Sequence, residues 1–279
     1  MAKPGHIELP TGERIPILYE DRSVLAIDKP PGWMLVPFSW QKTNRNLQAA
    51  LVSSIASGAY WARARGLKYL RFVHRLDAET SGVLLLAKSP GAVHSLGALF
   101  EGRRVAKVYL AVVSGVPGSE AWTCRQKLAP DPGVIGRMRA VPRDGKEAET
   151  HFRVLQCRGQ RALIEARPVT GRTHQIRVHL AASGHPVEGD PLYGTPRAKS
   201  EKPSRRPARR DAGAGAAAPA GGEADGVRAP ADGARGPGTG MGLRAVRLGY
   251  TDPFTRRRVD IQAPWEPFVS EYGFDVFQF

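Results

Sequence analysis

Two separated stretches of this chain carry residues that could do acid–base or nucleophilic chemistry together. Residues 74–82 read HRLDAETSG and contain Asp77, while residues 170–179 read TGRTHQIRVH and contain Arg177. A carboxylate can act either as a nucleophile or as a base. An arginine beside it keeps the carboxylate ionised and can orient it through two hydrogen bonds. We therefore expect Asp77 and Arg177 to form a pair.

The run Lys107–Val113 lies between these stretches and is typical of a buried strand, because it is apolar apart from its first residues. Strand side chains alternate between faces, so Lys107 and Tyr109 should point the same way. A tyrosine could stack on a planar substrate, although a core tyrosine with a bonded hydroxyl has the same sequence signature. The chain thus predicts a cleft with an acid, a cation and an aromatic ring.

In their order and spacing these motifs resemble the RluA-type family of RNA pseudouridine synthases. The resemblance begins with ILYED and DKPPG at 17–32, continues through the HRLD loop and the Lys-x-Tyr strand, and includes TGRTHQIR. It ends with HP at 185–186 and GDPLYG at 189–194, and a weaker match follows Met241. Most of the chain from about Ile15 to Gly194 is covered.

The resemblance implies a cofactor-free and metal-free enzyme that converts uridine to pseudouridine in ribosomal or transfer RNA. It implies catalytic roles for Asp77, Tyr109 and Arg177, and it leaves open whether Asp77 attacks C1′ or removes the C2′ proton. A target base must leave the RNA stack before it can react. The residues expected to bind substrate are Arg75, Lys107, Arg172, His174 and Lys29.

The pattern of apolar residues and turn signals predicts an α+β fold, with a central mixed or antiparallel sheet flanked by helices and loops. The resemblance implies the same pseudouridine synthase fold. The predicted strands cover 24–27, 69–73, 83–87, 107–113, two strands within 150–166 around Gly159, 243–250 and 259–261. The predicted helices begin at Asn44 or Asn46 and end at Gly58, run from Pro90 to Gly102, and run from Thr173 to Ser183.

Composition divides the chain into an N-terminal extension (1–13), a catalytic domain (14–197), an Ala/Gly/Pro/Arg-rich insertion (198–240) and a C-terminal part of the catalytic domain (241–279). The insertion has almost no large apolar residue, so it should be disordered. Its basic first half could tether RNA or could be an unselected linker. Aromatic residues of the C-terminal part, Trp265, Phe268 and Tyr272, are further candidates for RNA contact.

Charge and cysteine content bound the partners. The 41 Lys and Arg residues against 26 Asp and Glu give a net charge of +15, which favours a polyanion such as RNA. Solubility or a GC-rich genome would explain the same bias. The two cysteines form no disulfide framework, and no run approaches the roughly 20 apolar residues of a membrane span. We expect a cytoplasmic monomer.

The motifs also contain residues that could indicate a metal site or a hydrolase. His174 and His179 are five residues apart, which rotates them by about 140° on a helix, so they should not share a metal ion. A glycoside hydrolase would need a second carboxylate, for which Glu79 and Asp190 are the nearby acids. A catalytically inactive RNA-binding protein of the same fold is the alternative to the enzyme.

Overall fold

The computed structural model describes residues 3–35, 45–194 and 240–277. Its strands are β1 (His6–Glu8), β2 (Arg14–Glu20), β3 (Val24–Lys29), β4 (Arg71–Phe72), β5 (Ser81–Ala87), β6 (Ala106–Ser114), β7 (Ala121–Cys124), β8 (Lys127–Pro130), β9 (Met138–Val141), β10 (Thr150–Arg158), β11 (Arg161–Pro168), β12 (Leu243–Thr251) and β13 (Arg258–Gln262). Its helices are α1 (Leu47–Ala56), α2 (Tyr60–Arg63), α3 (Pro90–Glu101), α4 (Gln175–Ala182) and α5 (Glu266–Glu271).

Eleven of the described strands form one mixed sheet, in the order β1-β2-β3-β5-β12-β6-β11-β10-β7, with β13 beside β12 and β4 beside β5. Strands β8 and β9 form a separate hairpin. Only the β5–β12 pair is parallel among the described strands. The predicted α+β fold with a central mixed sheet is therefore confirmed.

Helices α1 and α3 begin where their capping residues predict. The Asn46 side chain accepts a hydrogen bond from the Ala49 amide at 3.0 Å, and Ser89 does the same for Ala92 at 3.2 Å. These caps satisfy amides that have no partner within the helix. Of the two predicted caps of α1, Asn46 is the one used, and Asn44 lies outside the described residues.

The middle of the sheet is buried on both faces. Leu84 and Leu86 of β5 pack with α1 and α2, while Val83 and Leu85 pack with Leu96 of α3. A strand covered on both faces reads as a continuous apolar run, which is what the β5 sequence shows. The loop before β5 therefore starts from a rigid base.

The loop predicted between β4 and β5 extends two residues too far at its C-terminal end. Ser81 and Gly82 belong to β5, because Gly82 pairs with Lys29 of β3 and with Ala245 of β12. Gly82 has φ +110°, and a Cβ at this position would collide with the carbonyl oxygen of Ala245. This close approach of two backbones requires glycine.

Helix α4 begins at Gln175, two residues after the predicted start. His174 precedes it in the left-handed conformation, with φ +56°, so the regular helix cannot include Thr173. Its C-terminal end matches the prediction, since Gly184 adopts φ +84°.

The C-terminal residues complete the main sheet, because β12 pairs with both β5 and β6. Phe268 and Tyr272 are buried against β6, and the Tyr272 hydroxyl donates to the Gly240 carbonyl at 2.8 Å. The prediction that these two aromatics contact RNA is therefore wrong, because their apolar surface is used in the core. Trp265 is partly buried against the same cluster.

At the other end, residues 6–8 of the predicted N-terminal extension form an edge strand whose Ile7 is fully buried. Apart from Gly240, the predicted disordered insertion lies outside the described residues. No helix in the described ranges is long and apolar enough to cross a membrane.

Replacing Gly82 by alanine should lower the free energy of unfolding by at least about 2 kcal/mol, because the new Cβ forces β5 and β12 apart and the backbone is strained. Urea unfolding measures this change. Gly97 is the matched control, since a Cβ there meets nothing within 4 Å in α3. Gly97→Ala should be neutral or stabilising by up to about 1 kcal/mol. Equal stabilities of the two variants would contradict the close approach.

Candidate active site

Asp77 lies in the loop between β4 and β5, and neighbours on both sides hold that loop. The His74 Nε2 atom accepts a hydrogen bond from the Leu85 amide at 3.0 Å, and its ring stacks on Phe100 at 4.8 Å. Burial lowers the pKa of His74 to about 3, so the ring is neutral and can accept this bond. The loop backbone itself turns through a bond from the Thr80 amide to the Asp77 carbonyl at 3.2 Å.

Lys29 anchors the same loop through hydrogen bonds to its backbone. Its side chain is fully buried, and Nζ donates to the carbonyl oxygens of Pro30, Ala78 and Thr80 at 3.0, 2.8 and 2.9 Å. These acceptors use all three ammonium protons. We expected Lys29 to bind substrate, but its geometry fits a loop anchor. Burial lowers the pKa of Lys29 to about 8.

Arg177 reaches Asp77 from helix α4. Its side chain is 1% exposed, and Nη1 donates to Asp77 Oδ2 at 3.0 Å. We expected two hydrogen bonds to Asp77, but the two-pronged contact is made to Asp190 instead, from Nε and Nη2 at 2.7 and 2.8 Å. Burial opposes the charge of Arg177, but bonds and charges from Asp190 and Asp77 outweigh it and raise its pKa. Arg177 is therefore permanently charged, and it is hydrogen-bonded to the carboxylates of both Asp77 and Asp190.

Asp190 is the counter-ion that sequence reasoning did not assign to Arg177. Its side chain has no exposed surface, and Oδ1 also accepts the amides of Leu192 and Tyr193 at 2.8 and 3.1 Å. Burial opposes its ionisation, but the Arg177 hydrogen bonds and charge lower the pKa of Asp190. The GDPLYG motif carried a signal for this role. An aspartate whose side chain accepts the backbone amides of the residues two and three positions later is typical of a turn.

Lys107 and Tyr109 lie on one face of β6, as predicted, and both line the cleft around Asp77. Burial and the nearby charge of Asp77 raise the pKa of Tyr109, so its phenol stays protonated. Lys107 Nζ donates to the Thr170 carbonyl at 3.1 Å, and burial lowers its pKa to about 8. The face of β6 therefore presents one phenol and one titratable amine to the cleft.

Gln175 fixes the segment that leads into α4, a role that sequence reasoning missed. Its side-chain Oε1 accepts from Thr170 Oγ1 at 2.6 Å and from the Arg172 amide at 3.0 Å. Its Nε2 donates to the Glu149 carbonyl and to Thr150 Oγ1, both at 2.9 Å. The local sequence pattern carried no signal for this role, because Gln175 is the first helical residue and two of its partners lie 25 and 26 residues earlier in the chain.

The assembled cleft has a volume of about 480 Å³, within the range of small-ligand sites. Arg75 stands exposed at its rim, 3.4 Å from Thr173 Oγ1. Arg172 donates from Nε to the Glu147 carbonyl at 2.9 Å. The predicted residues that line the cleft are Arg75, Asp77, Lys107, Tyr109, Arg172, His174 and Arg177.

The other acids near Asp77 are poorly suited to activate water. Asp190 is fully engaged by Arg177 and by two amides, as described above. Glu79 is 40% exposed, and its Oε2 lies 3.7 Å from the same Arg177 Nη1 that holds Asp77. A hydrolytic pair would need a second acid with an independent environment. The geometry favours a reaction that uses one carboxylate.

His174, just before α4, and His179, within it, are bonded to protein groups. His179 Nδ1 lies 2.9 Å from Thr150 Oγ1 and Nε2 lies 3.0 Å from the Gln126 carbonyl, while His174 Nδ1 lies 2.9 Å from the Tyr193 hydroxyl. Within the described part of the chain, no group of three or more His, Cys, Asp and Glu side chains is arranged to hold a metal ion.

Comparison with known proteins identifies the family of this chain. The family model described as RNA pseudouridylate synthase matches residues 23–182. Ribosomal large subunit pseudouridine synthase D of Neisseria meningitidis serogroup A is 31% identical over 256 residues, which are 92% of this chain and 59% of that protein. Ribosomal large subunit pseudouridine synthase C of Vibrio parahaemolyticus is 36% identical over 184 residues, 65% of this chain and 53% of that protein. The chain thus spans between half and three fifths of the length of these relatives.

Solved structures agree on the fold. Human RNA pseudouridylate synthase domain containing 1 superposes with a TM-score of 0.63 at 24% identity, covering 92% of this chain and 86% of that one. The human domain-containing 4 protein gives 0.62 at 21% identity, covering 93% and 94%. At these identities the likeness concerns the fold alone. Because the family model covers more than half of the chain and its motifs stand in the expected order, the chain belongs to the RNA pseudouridylate synthase family, in its RluA-type branch.

Proposed function

We propose that this protein is an RNA pseudouridine synthase that isomerises uridine in ribosomal RNA, with Asp77 as its essential carboxylate. The observation that carries the proposal is the environment of that carboxylate. One oxygen, Oδ2, is held by the buried Arg177, while Oδ1 accepts no hydrogen bond from the described residues and faces the cleft. An acid that a buried arginine orients and that keeps one oxygen free suits attack at a sugar carbon.

The reaction breaks one bond and forms another without net loss of atoms. The uridine N1–C1′ bond breaks and its electron pair leaves with the base, which then rotates. C5 of the base bonds to C1′, and the C5 proton leaves while N1 gains one. Asp77 assists either by bonding to C1′ and later leaving as a carboxylate, or by removing the C2′ proton and returning it. Both assignments remain open.

The neighbours of Asp77 serve this reaction through charge and shape. Arg177 places a permanent positive charge beside Asp77 Oδ2, which stabilises the carboxylate before it reacts and again when it is released. The protonated Tyr109 offers a flat ring on which uracil can stack. Arg75 is an exposed cation at the rim of the cleft. It is suited to bind phosphate and to occupy the place of the extruded base.

Ribosomal RNA is favoured over transfer RNA as the substrate because the similar curated proteins bear large-subunit names. The net charge of +15 suits either RNA. We further propose that the protein acts as a cytoplasmic monomer, without a metal or a cofactor. The pairing of β12 with β5 and β6 supports residues 14–197 and 241–279 as a single catalytic domain interrupted by 198–240.

Asp77→Asn should abolish pseudouridine formation, with at least about a thousandfold loss of rate, because the amide can neither attack C1′ nor accept a proton. Pseudouridine mapping of ribosomal and transfer RNA from cells lacking the gene, rescued with each form, measures this. Asp260→Asn is the matched control, since Asp260 pairs with Arg247 on the surface and should restore modification fully.

A site restored by wild type and by Asp260→Asn, but not by Asp77→Asn, would support the proposal and identify the target. Modification restored by Asp77→Asn would refute the role of Asp77. If no site in any RNA responds to the gene, the inactive RNA-binding alternative is favoured. Release of free uracil from RNA would indicate the hydrolase instead.

Arg177→Met should lower the free energy of unfolding by about 3–5 kcal/mol, because it leaves the buried Asp190 carboxylate without its counter-ion. Adding Asp190→Asn should recover part of this stability, since the remaining buried group is neutral. The double variant should stay inactive, because Asp77 still lacks its partner. Urea unfolding and single-turnover assays separate the two effects. Additive losses of stability in the double variant would contradict the pairing.

RNA affinity should weaken as pH rises from 7 to 9, because burial lowers the pKa of Lys107 to about 8 and its ammonium faces the cleft. In the folded protein Lys107 loses its proton near pH 8, whereas in the unfolded chain it keeps the proton up to about pH 10.5. The free energy of unfolding should therefore rise between about pH 8 and 10.5. Filter binding in an Asp77→Asn background measures the affinity without turnover. Lys107→Met should remove the pH dependence, whereas Lys68→Met, at an exposed site outside the cleft, should keep it. A flat wild-type profile would contradict the assignment.

A further inference from the structure

Tyr193 contacts both of the groups that flank the Asp77 carboxylate. It is 8% exposed, and its hydroxyl lies 2.9 Å from His174 Nδ1. The face of its ring lies 5.2 Å from the Arg177 guanidinium, a favourable cation–π distance. Its backbone is held in place by Asp190, as described above. One buried side chain thus connects the two neighbours of the catalytic acid.

The hydrogen bonds of Tyr193 determine the tautomer of His174. The Tyr193 oxygen accepts the amide of Met138 at 2.8 Å, so the phenol proton is free to point elsewhere. Its one acceptor among the described contacts is His174 Nδ1. We infer that the phenol donates to Nδ1, and because a neutral imidazole has one accepting and one donating nitrogen, the proton of His174 then lies on Nε2.

The Nε2 atom of His174 lies on the side of Asp77 whose oxygen is free of hydrogen bonds among the described residues. Nε2 lies 4.0 Å from Asp77 Oδ1, beyond hydrogen-bond range, whereas Oδ2 is already bonded to Arg177. Burial lowers the pKa of His174 although the Asp77 charge opposes this, so the ring is neutral at pH 7. A shift of about 1 Å in either side chain would bring Nε2–H into contact with Oδ1.

The backbone of His174 is strained in a way that serves this orientation. It adopts φ +56° as a non-glycine residue, while its carbonyl accepts the Val178 amide at 2.9 Å. Gln175 ties the preceding turn to β10, as described above. Strain of this kind persists where surrounding bonds over-determine it, and it is concentrated at functional sites.

We propose that Tyr193 and His174 form a positioning pair that orients the reactive oxygen of Asp77 and stabilises the carboxylate each time it is regenerated. Tyr193 fixes the donor tautomer of His174, and His174 donates to Oδ1 when substrate closes the gap. His174 is therefore a donor to the acid, and neither a base nor a direct contact to RNA. This inference rests on the proposed function for its catalytic consequence, while the tautomer is independent of it.

Nitrogen NMR of the ¹⁵N-histidine-labelled protein tests the tautomer without any activity. We expect His174 to show an unprotonated Nδ1 and a protonated Nε2, with the signal assigned by its loss in His174→Gln. In Tyr193→Phe the constraint is gone, so the ring should populate both tautomers. A proton on Nδ1 in the wild type would overturn the proposal, whether or not the protein modifies RNA.

Kinetics test the consequence. Tyr193→Phe keeps the ring against Arg177 and should lower kcat about tenfold with KM within about twofold, because the loss concerns orientation of the acid. His174→Gln should lower kcat similarly, and the double variant should lose little more, since the two residues act as a unit. Binding of RNA should be unchanged in all three.

Tyr272→Phe is the matched control, because it also removes one buried hydroxyl bond, to the Gly240 carbonyl, away from Asp77. If Tyr193 merely packs α4 against the β8–β9 hairpin, the two tyrosine variants should lose stability alike and keep wild-type kcat, which would refute the positioning role. Additive losses of kcat in the Tyr193 and His174 double variant would refute it as well. A fully active Asp77→Asn enzyme would instead refute the proposed role of Asp77 while the tautomer result stood, and a protein that modifies no RNA would refute the proposed function.

Discussion

The buried guanidinium of Arg177 between Asp77 and Asp190 is the interaction on which the site depends. A charge at 1% exposure is tolerable only because two carboxylates and a tyrosine ring surround it. Asp190 takes the two-pronged contact and makes the cation rigid. Asp77 takes a single bond and keeps one oxygen free. The unequal sharing separates a structural acid, Asp190, from the acid that we propose to be reactive, Asp77.

The sheet supplies the fixed frame for that arrangement. Strands β3, β5 and β12 meet at Gly82, where the absence of a side chain lets two backbones touch. Lys29 then ties the loop of Asp77 to the end of β3 with three hydrogen bonds. The loop is therefore anchored to the sheet, although its residues have no regular structure. This anchoring suits the role that we propose for Asp77, because an acid held in place needs little reorganisation during a reaction.

Much of the fold could be predicted from local pattern. The apolar runs of β3, β5 and β6 and the caps at Asn46 and Ser89 were visible in the sequence, because burial and capping impose residue types at fixed spacing. The boundaries that failed, at Ser81 and at His174, are positions where a long-range contact overrides local preference. Phe268 and Tyr272 were misjudged for the same reason, since an aromatic residue looks alike in a core and on an RNA surface.

For the site, the sequence by itself determined which residue types meet: the motifs carry an aspartate, an arginine, a tyrosine and a lysine in the order of the family. Only the tertiary structure decided how they divide their bonds. In the tertiary structure, Arg177 makes its two-pronged contact with Asp190. Lys29 donates to the backbone of the Asp77 loop, and the Tyr193 hydroxyl is hydrogen-bonded to His174 beside Asp77. The physical reason is that residue type follows from chemistry and burial, whereas hydrogen-bond partners depend on distances between segments up to a hundred residues apart.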